Sequence, residues 1–400
     1  MDSECEDPQF CTAGPRSDLN GMTLPDWVDS ATKEKFEIRS RLAVLARSAQ
    51  FNQKPLRPED VFLYPTGMAA ISAVARSLAQ SEEDSGAVVY GWPYAGTPHS
   101  VRTSGFNRFT MYGHGTTDEL DELKSSLASG TKITVLFCEI PSNPQLSTPD
   151  LLHIRDLANK FRFIVVCDDT LATSVNMDIM PYVDVTVTSL TKIFSGGGNV
   201  MGGSLMVNPA SQHYDKLHSL LSNSYEDLYF PPDAMTMAKN SRDFVERVHR
   251  CNESTLRIAN LLTTHSSVEY VNHPTTVSSA PIYERYRREN GGYGFLLSVV
   301  FRNPGSAEVF YDTLDVWKGP TIGTNASIAI PYSLLAHARE GDWAASHGIP
   351  RHIVRLSVGL EDFTDLKTRV NRALHRVEQW EEERKSADPD GTAASGCAIL

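Results

Sequence analysis

Lys192 stands in the stretch Val185-Thr-Val-Thr-Ser-Leu-Thr-Lys-Ile-Phe-Ser-Gly-Gly-Gly-Asn-Val-Met-Gly-Gly203, where a β-rich apolar run opens into a glycine-rich turn. A lysine that attacks a carbonyl must first lose its proton, and burial or a neighbouring cation has to bring its free pKa of ~10.4 down. The end of a buried strand supplies such a setting. Ser189 and Thr191, two residues apart, are expected to face one side of extended backbone and to offer both hydroxyls to a single anion. The glycines that follow let backbone approach a ligand closely. Taken by itself, a short Ser-x-Thr-Lys is more often a strand end with an exposed lysine before a turn, and the reading depends on what lies upstream.

Upstream, Phe163-Ile-Val-Val-Cys-Asp-Asp-Thr170 is a β-branched, apolar run closed by two carboxylates. It reads as a buried parallel strand with Asp168 at its carboxyl end, the side of an open α/β sheet where ligands collect. A carboxylate beside a lysine-bound heterocycle is what pyridoxal phosphate requires, because it keeps the pyridine nitrogen protonated and the ring able to accept electrons. An Asp there would also cap a following helix. Tyr64-Pro-Thr-Gly-Met-Ala-Ala-Ile-Ser-Ala-Val-Ala-Arg-Ser-Leu78 is a tight turn into a helix, with Ile71, Val74, Ala75 and Leu78 on one face. Free N–H groups at Thr66, Gly67 and Met68 would cradle a phosphate there, or simply begin an ordinary Thr-capped helix.

The elements that must position these groups alternate. Ala87–Tyr90, Ile133–Glu139, Phe163–Asp168 and Val183–Ser189 read as strands, with helices over Asp118–Leu127 and Pro149–Lys160, which predicts a mostly parallel, doubly wound sheet. Asp233–Leu262 reads as one long helix leading to a boundary near His265. Phe295–Phe301, Ile353–Val358 and a helix from Glu361 to about Glu382 then predict a smaller α+β domain. The expected division is an N-terminal arm over 1–54, a large domain over 55–265, a small domain over 266–384 and a polar tail from Lys385 over 385–400. Within the arm, helical periodicity begins after Lys33.

The 400 residues carry 37 basic and 49 acidic side chains, a formal charge of −12, without a long basic run, so nucleic acid is not an expected partner. No apolar run is long enough to span a bilayer, and the acidic start has neither a basic n-region nor an apolar h-region; the expected location is the cytoplasm. Six scattered cysteines, two of them within apolar strands, read as reduced packing thiols, with neither a disulfide frame nor a metal site. Cys397-Ala-Ile-Leu400 matches a prenylation signal, the one route to a membrane that the sequence offers, or else a frayed tail.

Taken in order, these stretches resemble the Cys/Met-metabolism class of pyridoxal-phosphate enzymes, most closely the catalytic region of filamentous-fungal cystathionine γ-synthases. The resemblance covers roughly residues 55–380 and rests on Phe62–Ile71, Phe137-Cys-Glu-Ile-Pro-Ser-Asn-Pro144, Ser189–Gly196, Asn199–Gly203, Asn290–Ser298, Lys318–Asn325 and Arg355–Asp362. It implies the type I, aspartate-aminotransferase-like fold and pyridoxal 5′-phosphate as cofactor. Lys192 matches the lysine that bonds the cofactor and shuttles protons, Asp168 the pyridinium partner, and Gly67, Met68, Ser189 and Thr191 the phosphate cradle. Tyr94 matches the aromatic that stacks on the cofactor ring and helps deprotonate substrate, a role open to it beside that of an ordinary core or surface aromatic. Asn143 matches the hydrogen-bond partner of the cofactor's phenolic oxygen, although Ser-Asn-Pro is also a common turn. Arg355 matches the arginine that grips the substrate α-carboxylate, where a planar bidentate donor suits better than lysine; otherwise it is a strand-edge arginine in an ion pair.

One departure stands out. Where the family carries a Tyr-x-Arg pair that binds the neighbouring subunit's cofactor phosphate, this arm offers Phe36-Glu-Ile-Arg-Ser-Arg41, with Arg39 and Arg41 as the available cations. The resemblance implies a homodimer or homotetramer acting on small amino-acid substrates, by γ-replacement on an O-acyl-L-homoserine with cysteine or another nucleophile. The alternatives are γ-substitution with a non-cysteine nucleophile in secondary metabolism, a β- or γ-lyase using the same residues, and an inert relative acting as a binding partner.

Overall fold

The computed structural model describes residues 24–50 and 54–387. Its centre is a seven-stranded sheet in the order β1-β7-β6-β5-β4-β2-β3, formed by β1 (Val61–Tyr64), β2 (Gly86–Tyr90), β3 (Arg108–Tyr112), β4 (Val135–Glu139), β5 (Ile164–Asp168), β6 (Val185–Ser189) and β7 (Gly203–Val207). The β3-β2-β4-β5-β6 run is parallel, and β7 and β1 close the edge antiparallel. Helices cover both faces, so β4 to β7 are buried along nearly their whole length. This is why their sequences read as continuous apolar runs with no alternation.

The second sheet runs β10-β11-β12-β9-β8, with β8 (Val268–Asn272), β9 (Leu296–Phe301), β10 (Trp317–Lys318), β11 (Ile328–Pro331) and β12 (Val354–Ser357). It is antiparallel apart from the β10–β11 pair and is covered by the helix Phe363–Ala387, whose Leu366, Val370, Ala373, Leu374 and Val377 are buried. The fold is therefore the α/β arrangement expected, a large mostly parallel sheet followed by a smaller α+β unit.

Three expectations change. Asp233–Leu262 is two helices, Pro231–Asn240 and Phe244–Thr263. Between them Ser241 Oγ donates to Met237 O and Ala238 O, Arg41 Nη1 donates to Ala238 O, and Arg247 Nη1 donates to Asn240 O at 2.9 Å. Those carbonyls are satisfied by side chains, so the helix ends without a glycine or proline to announce it. The arm's helix α1 begins at Leu24, ahead of Lys33, and runs to Leu45. Its Ile38 and Leu42, with Ala46 just past its end, are spaced by four and buried against the chain's own large unit, with Phe36 and Val44 exposed. The final helix continues through Lys385 to Ala387; the remainder of the polar tail, with Cys397, lies outside the described residues. Cys138, Cys167 and Cys251 are free and buried, and among the described residues no group of His, Cys, Asp and Glu could hold a metal. No described helix is long and apolar enough to cross a membrane.

Candidate active site

The carboxyl ends of the parallel strands open on a cleft of about 250 Å³ lined by Gly67, Met68, Tyr94, Asn143, Asp168, Ser189, Thr191 and Lys192. Register explains the convergence: Glu139 pairs with Asp168 across β4 and β5, and Ser189 with Gly203 across β6 and β7. Opposite them, β1 delivers the chain to the start of helix α2 (Gly67–Ala79), where the Thr66 side chain caps Ala69 N–H at 3.0 Å. The N–H groups of Gly67 and Met68 are then left without an intrahelical acceptor at the edge of the cleft. Glycine is needed at 67 because a Cβ there would sit 2.8 Å from Ser189 Cβ.

Lys192 lies in the turn after β6. Its Nζ donates to Thr321 Oγ1 at 3.4 Å, and burial, followed by the nearby charge of Arg355, holds its amine below the ordinary lysine value. Arg247 fixes this turn. It is 3% exposed, and its Nη2 donates to the carbonyls of Ile193, Phe194 and Ser195 at 3.0, 2.8 and 3.2 Å. From the second unit, Gly323 (φ +66°) passes so close that a Cβ would be 2.5 Å from Ile193 N. Ser189 and Thr191 both reach the cleft, though not by strand alternation: β6 ends at Ser189, and Thr191 sits in the turn with its hydroxyl bonded to both backbone groups of Gly202.

Asp168 accepts from Thr170 N–H at 2.9 Å, and Thr170 Oγ1 accepts from Ser189 N–H at 2.8 Å. Burial raises the Asp168 carboxyl. Glu139 is raised well above the usual range, first by burial and then by the charge of Asp168, while its Oε2 accepts from Tyr94 N–H at 2.6 Å. Tyr94 is thus anchored by its backbone with its ring half-exposed in the cleft. Arg355, 4% exposed, stands behind the wall and does not line it. Its Nη1 donates to Asn143 Oδ1 at 3.2 Å, its Nη2 donates to Pro320 O at 2.7 Å, and its guanidinium lies 5.0 Å from the centre of the Tyr332 ring. Desolvation lowers it to about 10.

Glu139, Thr170, Arg247 and Thr321 were not expected here. Glu139 carried a legible signal, since it ends a buried strand as Asp168 does. Arg247 carried none, being one helical arginine among several. Neither Arg39 nor Arg41 reaches the cleft of its own chain: Arg39 Nη2 donates to Tyr225 OH at 3.2 Å and Arg41 Nη1 to Ser241 Oγ at 2.5 Å.

Residues 56–375 match the model of the Cys/Met metabolism PLP-dependent enzymes. The chain belongs to this family. It is 67% identical over 379 residues to the cystathionine gamma-synthase-like protein ankD of Aspergillus thermomutatus, covering 94% of this chain and 67% of that protein. It is 41% identical over 329 residues to the cystathionine gamma-synthase of Neurospora crassa, covering 81% of this chain and 53% of that one, so the chain spans about half to two thirds of these relatives' lengths. The crystal structure of cystathionine gamma synthase from Xanthomonas oryzae pv. oryzae superposes with a TM-score of 0.74 at 21% identity, covering 88% of each chain. That likeness concerns the fold.

The cleft's donor set fits the cofactor by which the family is described. Two adjacent carboxyls, the buried Glu139 and the partly buried Asp168, have no cation bonded to them among the described contacts, and a protonated ring nitrogen would supply one to Asp168. Free amides and hydroxyls collect where a phosphate needs donors.

Proposed function

We propose that this enzyme carries out γ-replacement on an O-acyl-L-homoserine. The observation that carries the reading is a deprotonation-prone Lys192 sharing one cleft with Asp168 and Asn143, with the guanidinium of Arg355 bonded to that same asparagine. In this reading Gly67, Met68, Ser189 and Thr191 hold the cofactor phosphate, Asp168 faces the ring nitrogen and Tyr94 lies on the ring. Bound there, pyridoxal phosphate supplies an electron sink for the carbon that loses its proton.

The chain's own residues do the rest. Arg355 orients the substrate α-carboxylate from behind Asn143, using a planar donor pair that a point charge does not reproduce. Lys192 Nζ, neutral at lower pH than a free lysine, takes the Cα proton and then a Cβ proton. The acyl group leaves Cγ as a carboxylate, a nucleophile's electron pair bonds Cγ, and the protons return to Cβ and Cα. We extend the reading to a homodimer or homotetramer in the cytoplasm, built from a large unit over 55–265 and a small one over 266–384. The family resemblance supports assembly, and Arg39 or Arg41 would have to exchange its contact within the chain for one across the interface.

The test is product analysis with O-acetyl-L-homoserine, with and without cysteine. Replacement predicts acetate and cystathionine when cysteine is present. Release of 2-oxobutanoate and ammonia at the same rate with or without it would make the enzyme a lyase.

A further inference from the structure

A second and larger cleft, of about 670 Å³, adjoins the first: Tyr94 lines one, and its chain neighbours Pro93 and Ala95 line the other. Its walls are aromatic. Trp92, from the segment after β2, and Trp343, from the short helix Gly341–Ser346, have ring centroids 4.6 Å apart at 37°. His337 lies 5.3 Å from Trp92 and is 4% exposed. Its Nδ1 is 3.9 Å from Glu340 Oε2, beyond hydrogen-bonding distance, and its Nε2 has no partner. Burial holds this imidazole below its ordinary value, so at neutral pH it is uncharged, with one donor and one acceptor.

Leaving such a group buried and unbonded is costly, and a native interior seldom does so without a function. Arg102 and Glu340, both exposed, line the same cleft and balance in charge, which favours an uncharged occupant. The chamber also touches the substrate-orienting machinery. The Tyr332 ring lies 5.7 Å from His337 and 5.0 Å from the guanidinium of Arg355.

We infer that this chamber seats the acceptor substrate of the replacement reaction, a molecule with a planar ring carrying an uncharged hydrogen-bonding group, whose nucleophilic atom enters the Lys192 cleft past Tyr94. The inference rests on the γ-replacement reading above and deepens it. A chamber of 670 Å³ falls within the ~300–1,000 Å³ typical of pockets for drug-sized ligands, far more than free cysteine would fill. Trp343, 43% exposed and backed by Trp92 at 2%, offers the accessible indole face on which a flat π-system stacks, and His337 gives it one directional contact.

The experiment is calorimetric titration of the pyridoxal-phosphate-loaded enzyme with N-acetyl-L-tyrosinamide and, as the non-aromatic counterpart, N-acetyl-L-leucinamide. The aromatic probe is expected to bind about tenfold more tightly. Trp343→Ala, at a half-exposed position that tolerates truncation, and His337→Phe should each weaken it about fivefold or more. Saturating O-acetyl-L-homoserine should leave the aromatic probe's affinity in place. The inference is overturned by equal binding of the two probes, by binding indifferent to both variants, by competition with the donor, or by dissociation of an oligomer in Trp343→Ala, which would make the chamber a seam between copies. Acetate release by the wild-type enzyme is measured alongside. Its absence would sink the γ-replacement reading while leaving the probe titration to be judged by itself.

Discussion

Arg355→Lys keeps a positive charge behind Asn143 but changes its geometry and its titration. The guanidinium divides its donors between Asn143 Oδ1 and Pro320 O, which an ammonium on a shorter reach does not satisfy together with a substrate carboxylate. Losing one charge-assisted bond costs about 1.5–3 kcal/mol, or roughly 10- to 150-fold in kcat/KM for the donor at neutral pH. The burial that takes Arg355 from 12.5 to about 10 would act on the lysine as well. A lysine there starts from a lower ordinary value than a guanidinium and is pushed down by the same burial, so it loses its proton at lower pH than Arg355 does. Donor kcat/KM of the variant should therefore fall away on the alkaline side at lower pH than that of the wild type, as the buried amine gives up its proton. The assay is steady-state acetate release from O-acetyl-L-homoserine across pH 6 to 9.5, about, at saturating acceptor. A loss below about threefold, or a pH profile parallel to wild type, would refute the placement of Arg355 at the substrate carboxylate.

Arg355→Leu removes the charge that helps hold Lys192 down, so the pH midpoint for cofactor loading of the apo-protein, followed by absorbance, should move upward from that of wild type. An unchanged midpoint would mean that burial alone sets the lysine. Asp169, raised to about 7 by burial, binds its proton more tightly in the folded chain than in the unfolded one, so its contribution to stability declines as pH rises from about 4 through about 7. Asp169→Asn removes that titration, and the melting temperature of the variant relative to wild type should rise between pH 5 and pH 8; a constant difference would contradict the assignment. Gly67→Ala forces a Cβ to within 2.8 Å of Ser189 Cβ and 3.0 Å of its Cα. Overpacking of this kind costs about 1–3 kcal/mol, and because the strain falls where the proposed reading puts the cofactor phosphate, the dissociation constant for pyridoxal phosphate should rise along with the fall in melting temperature.

The strands of the large sheet were legible because burial on both faces leaves uninterrupted β-branched runs, and the cleft was legible because its residues cluster at the carboxyl ends of those runs. Asp168 and Ser189 could be placed by position along a strand, and Lys192 by standing just past the end of one. Thr191 could be named from its motif, but its setting could not, since its place in the turn depends on the backbone of Gly202 eleven residues on. The break after Asn240 was invisible for a related reason: the groups that end the helix come from Arg41 and Arg247 as well as from Ser241. Arg247 reaches Ile193 O across 54 residues of sequence and Thr321 reaches Lys192 across 129, and no local pattern encodes that. The chamber of Trp92, His337 and Trp343 joins two segments far apart in the chain, each of which reads locally as an ordinary loop or short helix.

The account turns on Lys192 as the residue that bonds the cofactor. Treatment of the pyridoxal-phosphate-loaded enzyme with borohydride, then proteolysis and mass spectrometry, reads this directly by fixing any cofactor–lysine bond as a stable adduct. One pyridoxyl-phosphate adduct on the peptide carrying Lys192, absent from Lys192→Ala, is the predicted result. An adduct confined to another lysine, or none in enzyme that still releases acetate from O-acetyl-L-homoserine, would contradict it.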